Sequence, residues 1–204
     1  MNTVANQGDT TMSDLMLDVD QAGELKAAFR RGNWTNQEIK RLCEGTVLAD
    51  VRRLVLGHAS ITTIEHTIDC DAAPFVPSGW KVEEHQKGGQ FKFDASQVEF
   101  YLAAAQKKGS IEGNKLRKEL VSKPVLNANI LDYLLKNPRL IPEDWKKDES
   151  GNTRYIFFWG TVYRDSGGSL YVRCLYWYDD GWYWSDRWLD YDWNVSYPAA
   201  LRAS

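Results

Sequence analysis

The chain has 204 residues, 43% hydrophobic and 26% charged, with 25 Lys and Arg set against 28 Asp and Glu for a formal net charge of −3. It is long enough to bury a sizeable core as one large or two small domains. The near balance of charge argues against a polycationic nucleic-acid or membrane-surface binder, and no apolar run reaches the length of a membrane span.

The first twenty residues are polar and Asp-rich and are expected to form a disordered tail. They carry no basic start followed by an apolar stretch, so no secretory signal is read there. The three cysteines, Cys43, Cys70 and Cys174, are odd in number and far apart, which fits reduced thiols in a cytoplasmic protein.

Residues 21–57 read as three short helices. Ala22, Leu25, Ala28 and Phe29 recur at helical spacing until Gly32-Asn33-Trp34 breaks the pattern. Thr35 with Glu38 three residues on forms a capping box for a helix carrying Ile39 and Leu42, which stops at Gly45. A third helix carries Val47, Leu48, Val51, Leu54 and Val55 and stops at Gly57. Lys40, Arg41, Arg52 and Arg53 raise the reading of a DNA-binding regulator. Glu24, Glu38, Glu44 and Asp50 are interspersed and leave no clean basic face, so this reading is the alternative.

Residues 58–147 form a central part that is mixed and mostly helical. Ile61 to Asp69 alternates apolar and polar residues and predicts a strand, followed by a loop broken by Pro74 and Pro77. A short strand is expected at "WKVEEH", then a turn through Gly88-Gly89. Asp94 or Ser96 is read as the cap of a helix carrying Val98, Tyr101 and Leu102 and ending near Gly109. Further helices are expected over Glu112–Ser122 and, from an Asn127 cap, through Ile130, Leu131, Leu134 and Leu135, with one more turn at "IPEDW".

Residues 154–204 predict a three-stranded antiparallel meander rich in aromatic side chains: about Arg154–Arg164, Ser169–Tyr178 and Gly181–Asp190, with turns at "DSGG" and "DDG". Alternation places Tyr155, Phe157, Trp159, Thr161 and Tyr163 on one face of the first strand and Ile156, Phe158, Gly160 and Val162 on the other. Neither face is simply polar. One face is expected to cover the helical body, and the other to be capped by the N-terminal helices or left as an aromatic surface holding Arg173 and Arg187. The fold class is therefore α+β, with helical parts packed on a C-terminal aromatic sheet.

Six tryptophans between Trp159 and Trp193 exceed what one side of a thin sheet needs. They build a core, a binding platform, or both. The best platform candidates are Trp177, Trp182, Trp184, Trp188, Arg173 and Arg187. Interspersed aspartates weaken a nucleic-acid ligand and suit a carbohydrate, and Trp, Tyr and Arg dominate protein-binding hot spots. A non-catalytic protein contacting another protein or a carbohydrate is the leading expectation, with no membrane partner.

Catalysis has weaker support. The stretch around Glu65, His66, Asp69, Cys70, Asp71, Glu83, Glu84 and His85 mixes metal-ligating types, and His66, Cys70 and His85 are the candidates for a metal- or thiol-dependent enzyme. The spacing matches no zinc pattern. There is no phosphate loop and no nucleophile elbow, so no cofactor and no catalytic residue is assigned.

The stretches "IDCDAAPFVPSGWKVEEHQKGGQF", "GNKLRKELVSKPVLNANILDYLLKNPRLIPEDWK", "FFWGTVYRDSGGSLYVRCLYW" and "ELKAAFRRGNWTNQEIKRLCEG" resemble a group of bacterial hypothetical proteins without established activity. The resemblance implies a bacterial, cytoplasmic protein and assigns no residue a role.

Overall fold

The computed structural model describes residues 16–62 and 64–203. The chain divides into two compact units, one ending at Thr63 and one beginning at Ile64. Most of the expected disordered tail lies outside the described residues, and its last residues belong to a helix that starts at Val19. No described helix is long and apolar enough to cross a membrane.

The first unit is α1 (Val19–Arg31), α2 (Asn36–Leu42) and α3 (Val47–Val55), as the periodicity predicts. Capping boxes open the first two. Asp18 accepts from the Gln21 amide at 2.7 Å while Gln21 returns the contact to the Asp18 amide, and Thr35 and Glu38 do the same. These bonds satisfy amides that have no partner within the helix. No residue of the three helices is buried, and Leu25, Leu48 and Val55 stay exposed. Basic residues close each helix, where they meet the carbonyl end of the dipole.

The second unit holds β1 (Thr67–Asp69), β2 (Lys81–His85), β3 (Gln90–Lys92), β4 (Val98–Tyr101), α4 (Ala104–Lys108), β5 (Ile111–Glu112), α5 (Gly113–Leu120), α6 (Ala128–Lys136), β6 (Ile156–Arg164), β7 (Leu170–Tyr178), β8 (Gly181–Trp188), β9 (Asp192–Trp193) and β10 (Ala199–Arg202). The architecture is α+β, as expected, but three local readings need correction. The strand expected from Ile61 shrinks to β1, because its partner β3 offers three residues and Ile61 and Ile64 remain exposed. The helix expected over Val98–Leu102 is strand β4, since Val98 to Tyr101 lie antiparallel to β10; Asp94 caps only a 3-10 turn over Ala95–Gln97, and the α-helix begins at Ala104. The meander β6-β7-β8 exists but is half of a six-stranded sheet, ordered β4-β10-β6-β7-β8, with β2 also paired to β6. β10 enters the sheet interior beside Phe157, the one parallel junction in it.

β6 is divided by a bulge. Its first half pairs Phe157 with Cys174, and its second half resumes with Val162 opposite Val172, which leaves three extra residues on β6. A three-residue offset reverses the alternation. The expected face list therefore fails past the bulge: Val162 joins Phe157 and Trp159 in one core, and Tyr163 turns to the opposite face, against Trp80.

The bulge is where α6 seats. A Cβ on Gly160 would lie 2.8 Å from the Asn127 Cβ, so only glycine allows this approach. The Gly160 amide donates to the Leu126 carbonyl at 2.9 Å. Buried Thr161 accepts from the Ala128 amide at 3.0 Å, in the first turn of α6. Asn127, also buried, caps α6 through the Asn129 amide and donates to the carbonyls of Cys70 (2.8 Å) and Gln86 (3.0 Å).

Both faces of β6 and of the middle of β7 are covered from within this unit, whereas β8 has no buried residue and carries the exposed Tyr183 and Trp184. On one side Leu116 and Leu120 of α5 and the buried Trp193 pack on Phe157, Trp159, Val172 and Cys174. On the other, Ile130, Leu131 and Leu134 of α6 and the buried Trp145 pack on Ile156, Phe158 and Leu175.

Two substitutions test the seat. Gly160→Ala is expected to destabilise the protein by about 1–3 kcal/mol, because backbone rather than a flexible side chain must move. Asn127→Ala is expected to lower stability by about 2–3 kcal/mol, since it leaves the Gln86 carbonyl and the Asn129 amide without partners and the Cys70 carbonyl with His85 alone. Urea midpoints at constant slope measure both.

Candidate functional site

Arg173 on β7 is the most unusual buried side chain of the second unit, at 1% exposure. Its guanidinium forms a two-point ion pair with Asp132 of α6, Nη2 to Oδ1 at 2.8 Å and Nη1 to Oδ2 at 3.2 Å. The Nε–H has no hydrogen-bond partner among the described residues. Trp184 and Phe75 cover the cation, with ring centroids 4.4 Å and 5.0 Å from the guanidinium carbon, and their rings meet edge to face at 6.2 Å. A buried charge is tolerable only when paired, and Asp132 with two ring faces supplies that pairing.

Phe75 is held in place by its loop. The Tyr163 hydroxyl donates to the Phe75 carbonyl at 3.0 Å. Asn129 of α6 donates to the carbonyls of Asp69 and Ala72 at 2.9 Å and 2.8 Å, and Trp80 stacks on Tyr171 at 4.7 Å. The loop is thus strapped across the sheet, yet Phe75 is 53% exposed and Trp184 36%. Between them lies a groove of about 290 Å³, with Leu135 and Lys136 of α6 on its far wall.

Of the expected platform residues, only Trp184 and Arg173 meet in this groove. Trp177 and Trp182 are half-buried and pack edge to face at 5.4 Å, and the Lys146 ammonium lies 3.4 Å above the Trp177 ring. Trp188 is half-buried against Tyr191. Arg187 lies opposite Val172 in the ladder, and Arg173 opposite Asp186, so the two arginines point to opposite faces of the sheet. The single surface expected to hold both does not form. Arg187 instead donates to the Asp192 carbonyl at 2.6 Å and sits 4.3 Å over Tyr197, bracing the segment after β8.

His66, Cys70 and His85 are near in sequence but engage other groups. His66 Nδ1 pairs with the Tyr133 hydroxyl at 2.9 Å. His85 Nε2 donates to the Cys70 carbonyl at 3.1 Å, which leaves Nδ1, 2.8 Å from the Thr161 hydroxyl, as acceptor in the neutral ring. The Cys70 thiol is buried, and burial first, then Asp71 and Asp69, push its pKa up to about 11. At neutral pH it is a thiol and not a thiolate nucleophile. Among the described residues no three His, Cys, Asp or Glu side chains gather in metal-binding geometry.

The sequence reading missed Phe75 and Asp132, and both carried a signal. Phe75 is a large ring set among the small residues and prolines of its loop. Asp132 is an acid inside the apolar stripe Ile130–Leu135.

Two outcomes follow from this electrostatic arrangement. Asp132→Asn leaves a buried cation without its counter-charge and is expected to cost about 2–4 kcal/mol, somewhat below a fully buried pair because Asp132 retains 19% of its side-chain exposure. Arg173→Met combined with Asp132→Leu is expected to recover most of that loss. Asp186 supplies a pH test. Burial raises its carboxyl above the ordinary range, outweighing the attraction of Arg173. Its contribution to stability is complete below the unfolded pKa of about 4 and is lost as pH rises through the higher folded value. Asp186→Asn should therefore raise Tm over wild type at neutral pH, with the difference closing on acidification.

No protein-family model, curated protein or solved structure matches the chain.

Proposed function

We propose that the second unit is a non-catalytic protein-binding module whose contact is the Phe75–Trp184 pair over the Arg173–Asp132 floor. The observation that carries this is the exposure of two large aromatic rings on fully braced backbone. Phe75 is anchored by Tyr163 and Trp184 by the β7–β8 ladder, so neither loses much freedom when a partner arrives. Tryptophan and arginine on a rigid frame, in a groove that can exclude water, match the composition of energetic hot spots.

A protein partner suits the groove better than a carbohydrate. Sugar rings stack on aromatics but also take several hydrogen bonds from polar groups around the hydroxyls, and the one carboxylate lining the groove, Asp132, is already engaged by Arg173 through both oxygens. Leu135 and the Lys136 stem offer apolar wall to an inserted side chain.

The test uses the full-length chain as bait, wild type beside Trp184→Ala and Phe75→Ala, with thermal melts to show that each variant is folded. A protein retained by wild type and reduced at least tenfold by either truncation, about 1.4 kcal/mol or more of binding energy, is the expected result. Equal retention by all three baits contradicts the proposal. Glycan binding lost in Trp184→Ala would replace the protein partner by a carbohydrate.

A further inference from the structure

A second, smaller pocket lies on the same unit, where the turn after β2, the end of β10 and the linker between α5 and α6 meet. It shares no lining residue with the aromatic groove and goes beyond the function proposed above. Its volume is about 190 Å³. The floor is apolar and buried, with Phe91, Leu126 and Ile130 at 2%, 5% and 1% exposure. The rim is cationic, from Lys87 and Arg202, both exposed.

These two cations differ from their neighbours. Lys92 pairs with Glu65 and Arg117 with Glu84, whereas Lys87 and Arg202 have no carboxylate within ion-pair distance among the described residues. The Arg202 guanidinium stands 5.3 Å over the Phe91 ring, at the junction of rim and floor. Asp69 and Asp71 lie in the same region but are spent on backbone amides, Asp69 on that of Asp71 and Asp71 on that of Gly89, and neither lines the pocket.

We infer that this pocket binds a small organic monoanion, one ring or short branched chain bearing a carboxylate, with its body on Phe91, Leu126 and Ile130 and its carboxylate between Lys87 and Arg202. Size limits the body, because pockets for larger organic ligands run from roughly 300 Å³ upward. The two features act together: an inorganic anion leaves the floor unused, and a neutral apolar molecule leaves the rim unused. A carboxylate also suits the planar fork of Arg202. Cys70, beside Gly88, serves as apolar wall in its neutral form.

The test is an amide-resolved NMR titration of the full-length protein with sodium benzoate, 3-methylbutyrate and 3-phenylpropionate, using benzamide and inorganic phosphate as controls. At least one carboxylate should give saturable shifts confined to the Gly88, Gly89, Phe91 and Leu126 amides, with benzamide and phosphate at least tenfold weaker. Arg202→Gln and Lys87→Gln, both surface changes that leave the floor intact, should each weaken binding about fivefold. The proposal is overturned if none of the three carboxylates gives saturable local shifts up to about 10 mM, a binding energy near −3 kcal/mol. It is equally overturned if benzamide binds as well as benzoate, or if removing both charges changes nothing.

Discussion

The second unit depends on one close approach, the seating of α6 in the bulge of β6. Gly160 gives Asn127 room, Thr161 takes the Ala128 amide, and Asn127 ties the Cys70 and Gln86 carbonyls to the same point. Everything distinctive nearby follows from where that seat fixes the helix. Asp132, one turn further on, meets Arg173 across the sheet, and Asn129 holds the loop that carries Phe75. The same helix lends Ile130 to the cationic pocket, and Asp132, Leu135 and Lys136 to the aromatic groove.

The Arg173–Asp132 pair is best understood as a positioning device. A buried ion pair contributes little net stability over apolar side chains of similar volume, but breaking it is costly. Here it fixes the distance between α6 and β7 and puts a cation beneath two rings that would otherwise have no reason to stay upright. The aromatic wealth of the C-terminal stretch divides accordingly. Trp159 and Trp193 are core, Trp177, Trp182 and Trp188 are half-covered interface, and Trp184 alone among the six is exposed.

Much of the local structure was legible. The capping box at Thr35, the Asn127 cap of α6, and the turns at Gly167-Gly168 and Asp179-Asp180-Gly181 depend on near neighbours in sequence, and each forms where its residues predict. What was not legible depends on distant partners. Val98 to Tyr101 become a strand only because Ala199 to Arg202 return to pair with them. The side-chain alternation along β6 holds to Trp159 and then reverses, for a reason that lies in Asn127, thirty-odd residues upstream. Trp184 and Arg173 stand out from their chemistry alone, and both line the aromatic groove. Phe75 and Asp132, which complete the groove with them, come from a loop and a helix whose placement no periodicity encodes.

The central claim is that Trp184 leaves its ring open to solvent while the other tryptophans of the sheet are wholly or partly covered. Acrylamide quenching of tryptophan emission tests it directly, in a Trp34→Phe background that removes the exposed tryptophan of the first unit. The account predicts that adding Trp184→Phe eliminates most of the readily quenched emission, whereas adding Trp159→Phe or Trp193→Phe leaves it intact. Readily quenched emission that survives Trp184→Phe would contradict it and place the exposed aromatic surface elsewhere.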